Sequence, residues 1–236
     1  MATSMTESSQ RYQSIRIRVA QSSLDRTGKM ARRDPDKALR QAQRLIDDEL
    51  KRLPLADRGP VACRPGCDFC CHLRVMATPI EVFALLDYLG HTLERDALKA
   101  MEERIRTTDR ALRKLASDKV VKTNLPCPVL VDGQCSAYPA RPLNCRSYHS
   151  LSREACEASF NHPEDLDRGH PQLTAVAKVH EGGQAGFIEA FAQAGRDSNQ
   201  YELVTAMAEA LADPEARDRY AHGQQAFVRP SILAGF

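Results

Sequence analysis

Seven cysteines stand in two groups whose spacing could hold a soft metal. The first group is Cys63, Cys67, Cys70 and Cys71, within Cys-Arg-Pro-Gly-Cys-Asp-Phe-Cys-Cys. The second is Cys127, Cys135 and Cys145. Closely spaced thiolates favour zinc, iron–sulfur clusters or cuprous copper over magnesium or calcium. The run Cys63-x3-Cys67-x2-Cys70 has the form of half a zinc site and equally of the first ligands of an iron–sulfur cluster. Cys70 and Cys71 are adjacent, and neighbouring side chains diverge in both strand and helix. That pair tilts the reading toward a cluster touched at two metal atoms, or toward a site with a spare thiol. The eighth cysteine, Cys156, lies alone on a short amphipathic stretch and reads as a buried structural thiol.

Four thiolates around a metal leave net negative charge, and Arg64, Arg74, Arg141 and Arg146 lie close by in sequence. They would either offset that charge from a surrounding shell or form ordinary surface ion pairs. His72 and His149 are possible further ligands, although a lone histidine is more often a packing or surface residue. No His-Glu-x-x-His, P-loop, Gly-x-Gly-x-x-Gly or Gly-x-Ser-x-Gly motif occurs. Cys67-x2-Cys70 has the spacing of a thiol–disulfide oxidoreductase, but no βαβ pattern surrounds it. Tyr138, Tyr148 or His149 could serve as an acid or base beside an open metal position, yet no pair of such groups is visible. Catalytic residues are therefore not assigned, and the sequence leaves open whether the protein is an enzyme.

Stepping outward, 33 basic and 31 acidic residues give a net charge of +2, which carries no strong nucleic-acid signal. No stretch approaches the ~20 apolar residues of a membrane span, and the N-terminus lacks the apolar core of a signal peptide. A cytoplasmic protein is expected, and in a reducing compartment clustered cysteines are more often metal ligands than disulfides.

Residues 1–30 are Ser-, Thr-, Gln- and Arg-rich and read as a flexible basic arm. Asp34-Pro35 opens an amphipathic helix that ends near Pro54. Thr78-Pro79-Ile80-Glu81 is a capping-box start for a second helix, and a long polar helix follows over about 93–116. Asp132-Gly133, after the β-branched run Val129-Leu130-Val131, predicts a two-residue hairpin with Cys127 and Cys135 on its arms. A short helix then presents Cys145. Further helices are expected near 173–180, 185–194 and 201–211, with Gly182-Gly183 as a break. The fold class is mainly α: a helical domain with a small β-hairpin next to a cysteine-rich metal site. The organisation expected is the arm, a cysteine-cluster metal-binding domain over 31–160, and a C-terminal helical part over 161–236 packed on it.

The order of these motifs resembles the cysteine-cluster (CxxCxxCC) family, whose domain is regarded as zinc- or iron-chelating. The residues that carry the resemblance are Cys63, Cys67, Cys70 and Cys71, then Cys127-Pro-Val-Leu, Gly133-Gln-Cys135, Tyr138, Arg141-Pro142 and Cys145-Arg146. Three residues, not two, separate Cys63 from Cys67. The resemblance covers about residues 63–148. It implies a metal held by some subset of Cys63, Cys67, Cys70, Cys71, Cys127, Cys135 and Cys145. Two functions follow as expectations. One is an iron–sulfur cluster or iron centre with a redox, sensing or catalytic role. The other is a zinc-stabilised helical scaffold or adaptor without catalysis. The partner would be another protein or a small-molecule substrate.

Overall fold

Asp34 accepts a hydrogen bond from the Lys37 amide at 2.9 Å, and Pro35 occupies the first position of the helix it starts. Local signals of this kind set most of the elements in the computed structural model. The model describes residues 2–233, with side chains from residue 7 onward. The fold is mainly α, with two small two-stranded antiparallel sheets among the described residues. The helices are α1 (Ala2–Arg33), α2 (Pro35–Arg52), α3 (Pro79–Thr92), α4 (Arg95–Arg113), α5 (Ser117–Val120), α6 (Leu143–Ser147), α7 (Arg153–Asn161), α8 (Thr174–Gln193), α9 (Leu203–Ala212) and α10 (Ala216–Ala221). The strands are β1 (Met76–Ala77), β2 (Leu130–Val131), β3 (Gln134–Cys135) and β4 (Tyr201–Glu202). None of the helices is long and apolar enough to cross a membrane.

The chain divides into two units, the first formed by Met1–Val61 and Gln172–Ser198. It contains α1, α2 and α8. Where the sequence suggested a flexible arm, Ala2–Arg33 form one helix. Its buried stripe is Val19, Ser23, Thr27 and Ala31, spaced by four and fully buried. Two members of that stripe are polar, so hydrophobic periodicity does not reveal it. Their hydroxyls are satisfied, Ser23 donating to the Gly183 carbonyl at 2.8 Å and Thr27 to the Ser23 carbonyl at 2.7 Å. Gly182 and Gly183 do not break a helix; both lie inside α8. A Cβ at Gly182 or Gly186 would overlap the carbonyl oxygen of Arg16 or Ala20, and one at Gly183 would overlap Ile46. These glycines let α8 come close to α1 and α2. Glu49 of α2 is buried and binds Arg18 at 2.6 Å and Arg52 at 2.7 Å.

The second unit consists of Ala62–Pro171 and Asn199–Phe236. Its core joins α3, α4 and α9 through Phe83, Leu85, Leu89, Met101, Ile105, Leu112 and Met207. β1 pairs with β4, Met76 facing Glu202 and Ala77 facing Tyr201. β2 and β3 form the expected hairpin, Leu130 facing Cys135 and Val131 facing Gln134. Asp132 (φ 50°) and Gly133 (φ 72°) make its turn, both left-handed as a type I′ turn demands.

Candidate metal centre

The first cysteine group is built from two tight turns. Cys67 donates its amide to the Arg64 carbonyl at 3.0 Å, with Pro65 second and Gly66 (φ 84°) third, the pattern of a type II turn. This turn runs from Arg64 to Cys67, with Cys63 immediately before it. Cys71 then donates to the Asp68 carbonyl at 2.8 Å, opening the 3-10 turn Phe69–His72. At three residues per turn, successive side chains point about 120° apart. The adjacent thiols of Cys70 and Cys71 nevertheless stay close enough to share a hydrogen bond.

The second group is brought to the first by backbone pairing. The Cys127 amide donates to the Cys71 carbonyl at 2.8 Å, and the Leu125 amide to the His72 carbonyl at 3.3 Å. Arg74 fastens the same junction, donating from Nη2 to the His72 carbonyl at 2.9 Å and the Leu125 carbonyl at 2.5 Å. The hairpin then places Cys135. Cys145 lies on α6, whose position depends on a buried carboxylate. Glu81 accepts from the Leu143 amide at 2.7 Å and from the Thr78 amide and hydroxyl, each at 2.8 Å. Asn144 adds a bond to the Met76 carbonyl at 2.6 Å. The start of α3 and the Cys145-bearing helix α6 thus share one side chain.

Cys70, Cys71, Cys127, Cys135 and Cys145 line a single cavity with Arg74, Arg141, Tyr148, Glu202 and a set of Leu and Val side chains. About 60 Å³ of it is open to the centre of a water-sized sphere. One water needs ~10–15 Å³ on that measure, so an ion or a small cluster has room. Burial pushes the Cys127 thiol up to about 11 and raises Cys135 and Cys145 as well. The bond with Cys71, and then burial, raises Cys70. Neighbouring sulfurs add to the shift at each of these four thiols, so in the metal-free protein they stand as neutral SH groups. A thiophilic cation reverses that balance, because it binds the thiolates and releases their protons.

The cationic side of the cavity has unmet bonding capacity. Arg74 and Glu202 are 4% and 2% exposed, and Arg74 Nη1 lies 3.6 Å from Glu202 Oε1. Arg74 Nε and Nη1 and Glu202 Oε1 have no hydrogen-bond partner. Donors left over beside five thiols fit a negatively charged metal–thiolate group. Among the described residues, no three His, Cys, Asp or Glu side chains yet stand in the arrangement that clamps an ion.

The structure therefore gathers five of the seven expected ligands around one space. Cys67 is half-buried and Cys63 exposed, and neither lines the cavity. Of the four nearby arginines, Arg74 and Arg141 reach the cavity. His72 packs edge-on against Phe160 at 5.0 Å, with Nδ1 3.1 Å from the Asp68 carbonyl. His149 is buried with Nδ1 2.9 Å from the Ser147 carbonyl. The expected structural thiol Cys156 is half-buried on α7. Glu202 was missed by sequence reasoning. It sits 57 positions after Cys145 and reaches the cavity only through the β1–β4 pairing.

Comparison with curated proteins and with solved structures finds no match. A family model does match residues 62–165, a segment that includes all 8 cysteines. Those residues are similar to the CxxCxxCC family, whose model is described as "Putative zinc- or iron-chelating domain".

Proposed function

We propose that the cysteine-bearing unit is a thiolate metal centre holding an iron–sulfur cluster, or iron, for a redox, sensing or catalytic role. The observation that carries this reading is the convergence of five cysteines on one desolvated cavity together with Arg74 and Arg141. They come from three segments: the Phe69–His72 turn, the hairpin with its approach, and α6. Five thiols exceed the four that close a structural zinc site, and an adjacent pair suits contact with two metal atoms. When bound, a cluster supplies one-electron transfer at a potential set by nearby charge, hydrogen bonds to sulfur and solvent access. The chain's own residues govern those three. Arg74 and Arg141 offer positive charge and donors, while Leu85, Val129 and Leu203 line the cavity with hydrocarbon. The ligands are drawn from Cys63, Cys67, Cys70, Cys71, Cys127, Cys135 and Cys145, with the five cavity thiols first.

The test is elemental and acid-labile sulfide analysis, with a visible spectrum, on protein purified without oxygen. Iron with sulfide and a brown colour supports the cluster. Stoichiometric zinc in colourless protein would overturn it in favour of a zinc-stabilised helical scaffold that binds a protein partner.

A further inference from the structure

Away from the cysteines, the second unit holds a larger space between α3, α4, α9 and α10. Its walls are hydrocarbon, from Leu86, Leu89, Leu98, Met101, Ile105 and Leu211. About 280 Å³ of it is open to the centre of a water-sized sphere, against about 60 Å³ in the cysteine cavity. The two spaces share no lining residue. Helix α9 gives Leu203 and Val204 to the first and, about two turns further on, Ala210 and Leu211 to the second. Water filling this cleft meets hydrocarbon over most of the wall, so it lacks the polar partners that an ordered water needs. An apolar guest that displaces such water gains affinity. A hydrocarbon cavity of about 150 Å³ already takes a benzene-sized guest, so a short alkyl chain or one ring with a head group fits here.

Three charged side chains also line the cleft: Asp87, Glu102 and Arg217. The Arg217 guanidinium is fully engaged. Its Nη1 donates to Asp87 Oδ2 at 3.1 Å and its Nη2 to Asp87 Oδ1, and the group stands 4.6 Å from the Phe83 ring centroid. Glu102 is placed differently, one turn along α4 from both Leu98 and Ile105 and on the same face. Its Oε2 accepts from Arg106 at 3.1 Å, while its Oε1 accepts no hydrogen bond among the described residues. Two carboxylates against one guanidinium leave the lining net negative.

We infer that this cleft binds a small apolar molecule carrying a protonated primary amine. The hydrocarbon body lies against Leu89, Met101 and Ile105, and the ammonium donates to Glu102 Oε1. Alkyl amines titrate near the lysine value of about 10.4, so the head group is charged at neutral pH. A carboxylate guest is disfavoured, because it meets Glu102 and an Arg217 whose fork is filled by Asp87. An uncharged guest of the same shape fills the hydrocarbon walls but leaves Glu102 Oε1 to water. Binding is reversible and breaks no covalent bond. It does not depend on what the cysteine cavity holds.

Calorimetric titration of the full chain at neutral pH with hexylammonium chloride, 1-hexanol and sodium hexanoate separates the body from the head group. Hexylammonium should bind saturably, one per chain. Hexanol should bind about tenfold more weakly, the worth of one hydrogen bond to a charged group, and hexanoate more weakly still. Glu102→Gln should bring hexylammonium down to the affinity of hexanol. Ala210→Leu, which adds hydrocarbon to the wall, should weaken both. Absence of saturable binding, or equal affinity for the three probes, would overturn the site. So would a hexylammonium affinity unchanged in Glu102→Gln. Should Ala210→Leu fail to fold, methyl-labelled methionine NMR on the wild-type chain decides. The Met101 methyl resonance, assigned with Met101→Leu, shifts when hexylammonium occupies the cleft, and an unmoved resonance in the presence of binding places the amine elsewhere and overturns the proposal.

Discussion

Arg74 and Glu202 illustrate how much a single buried pair carries. Removing water from two charges costs several kcal/mol per ion, and attraction at 3.6 Å without a hydrogen bond offsets only part of that. Arg74 also holds the carbonyls that join the two cysteine groups. Arg74→Met should lower stability by about 3–5 kcal/mol, because Glu202 is then buried without its counter-charge. A double variant, Arg74→Met with Glu202→Leu, should regain most of that stability in denaturant titrations. Its metal content should stay low, since the donors beside the thiols are gone. Recovery of metal along with stability would show that Arg74 serves packing alone. Glu81 presents a second case at this scale. Burial raises its carboxyl, against the opposing pull of the Leu143 and Thr78 donors. Glu81→Ala leaves those donors buried and unmet, at about 1–3 kcal/mol each for the worst placed. It should lower the melting temperature and weaken metal retention through α6, both readable in one thermal scan with elemental analysis.

At the scale of elements, close helix approach and ion pairing set the first unit. Gly186→Ala drives a methyl group into the Ala20 carbonyl and should destabilise by about 1–3 kcal/mol. Gly28→Ala lies within α1 with nothing within 4 Å, so the same chemical change should stabilise by about 0.5–1 kcal/mol. Opposite shifts in melting temperature for the two variants would separate steric overlap from helix propensity. Glu49 links α1 and α2 to pH. Burial pushes its carboxyl up, but bonds and charge from Arg18 and Arg52 outweigh burial and hold it below its ordinary value of 4.5. A carboxylate lowered in the folded state adds stability above its unfolded pKa and loses it as pH falls through the folded one. The stability of the first unit should therefore drop on acidification below about 4.5, and Arg18→Met should flatten that dependence in a pH series of denaturant titrations.

For the whole molecule, the two units set the expected response to metal loss. The cysteines all lie within Ala62–Pro171, in the second unit. A metal that binds only the folded form stabilises it by about 2.7 kcal/mol at a hundredfold excess over its dissociation constant. Chelation should lower the unfolding transition of the second unit by that order. Hydrogen exchange should show amides near Cys71, Cys127 and Cys145 losing protection while those of α1 and α8 keep theirs. Uniform loss across both units would mean that the metal supports the entire chain.

Much of the chemistry was readable from residue order alone, because turns, caps and thiol spacing act over a few residues. Asp132-Gly133 specifies its hairpin through the left-handed backbone it needs, and Asp34-Pro35 specifies a helix start. The grouped cysteines specify a soft-metal donor set by their chemistry, whatever the fold. The rest depended on contacts across long separations. The Val19–Ala31 stripe of α1 is half polar, and the glycines of α8 look like a break until another helix is seen against them. Which five thiols share a cavity follows from Cys127 pairing with Cys71 and from Glu81 holding α6. Glu202 reaches them through a two-residue strand, and α7 meets the first cysteine group through Phe160 against Phe69. Spacing along the chain therefore determined the type of ligand, while long-range hydrogen bonds and packing decided which ligands meet. The physical reason is that donor chemistry belongs to each side chain, whereas coordination belongs to a position in space.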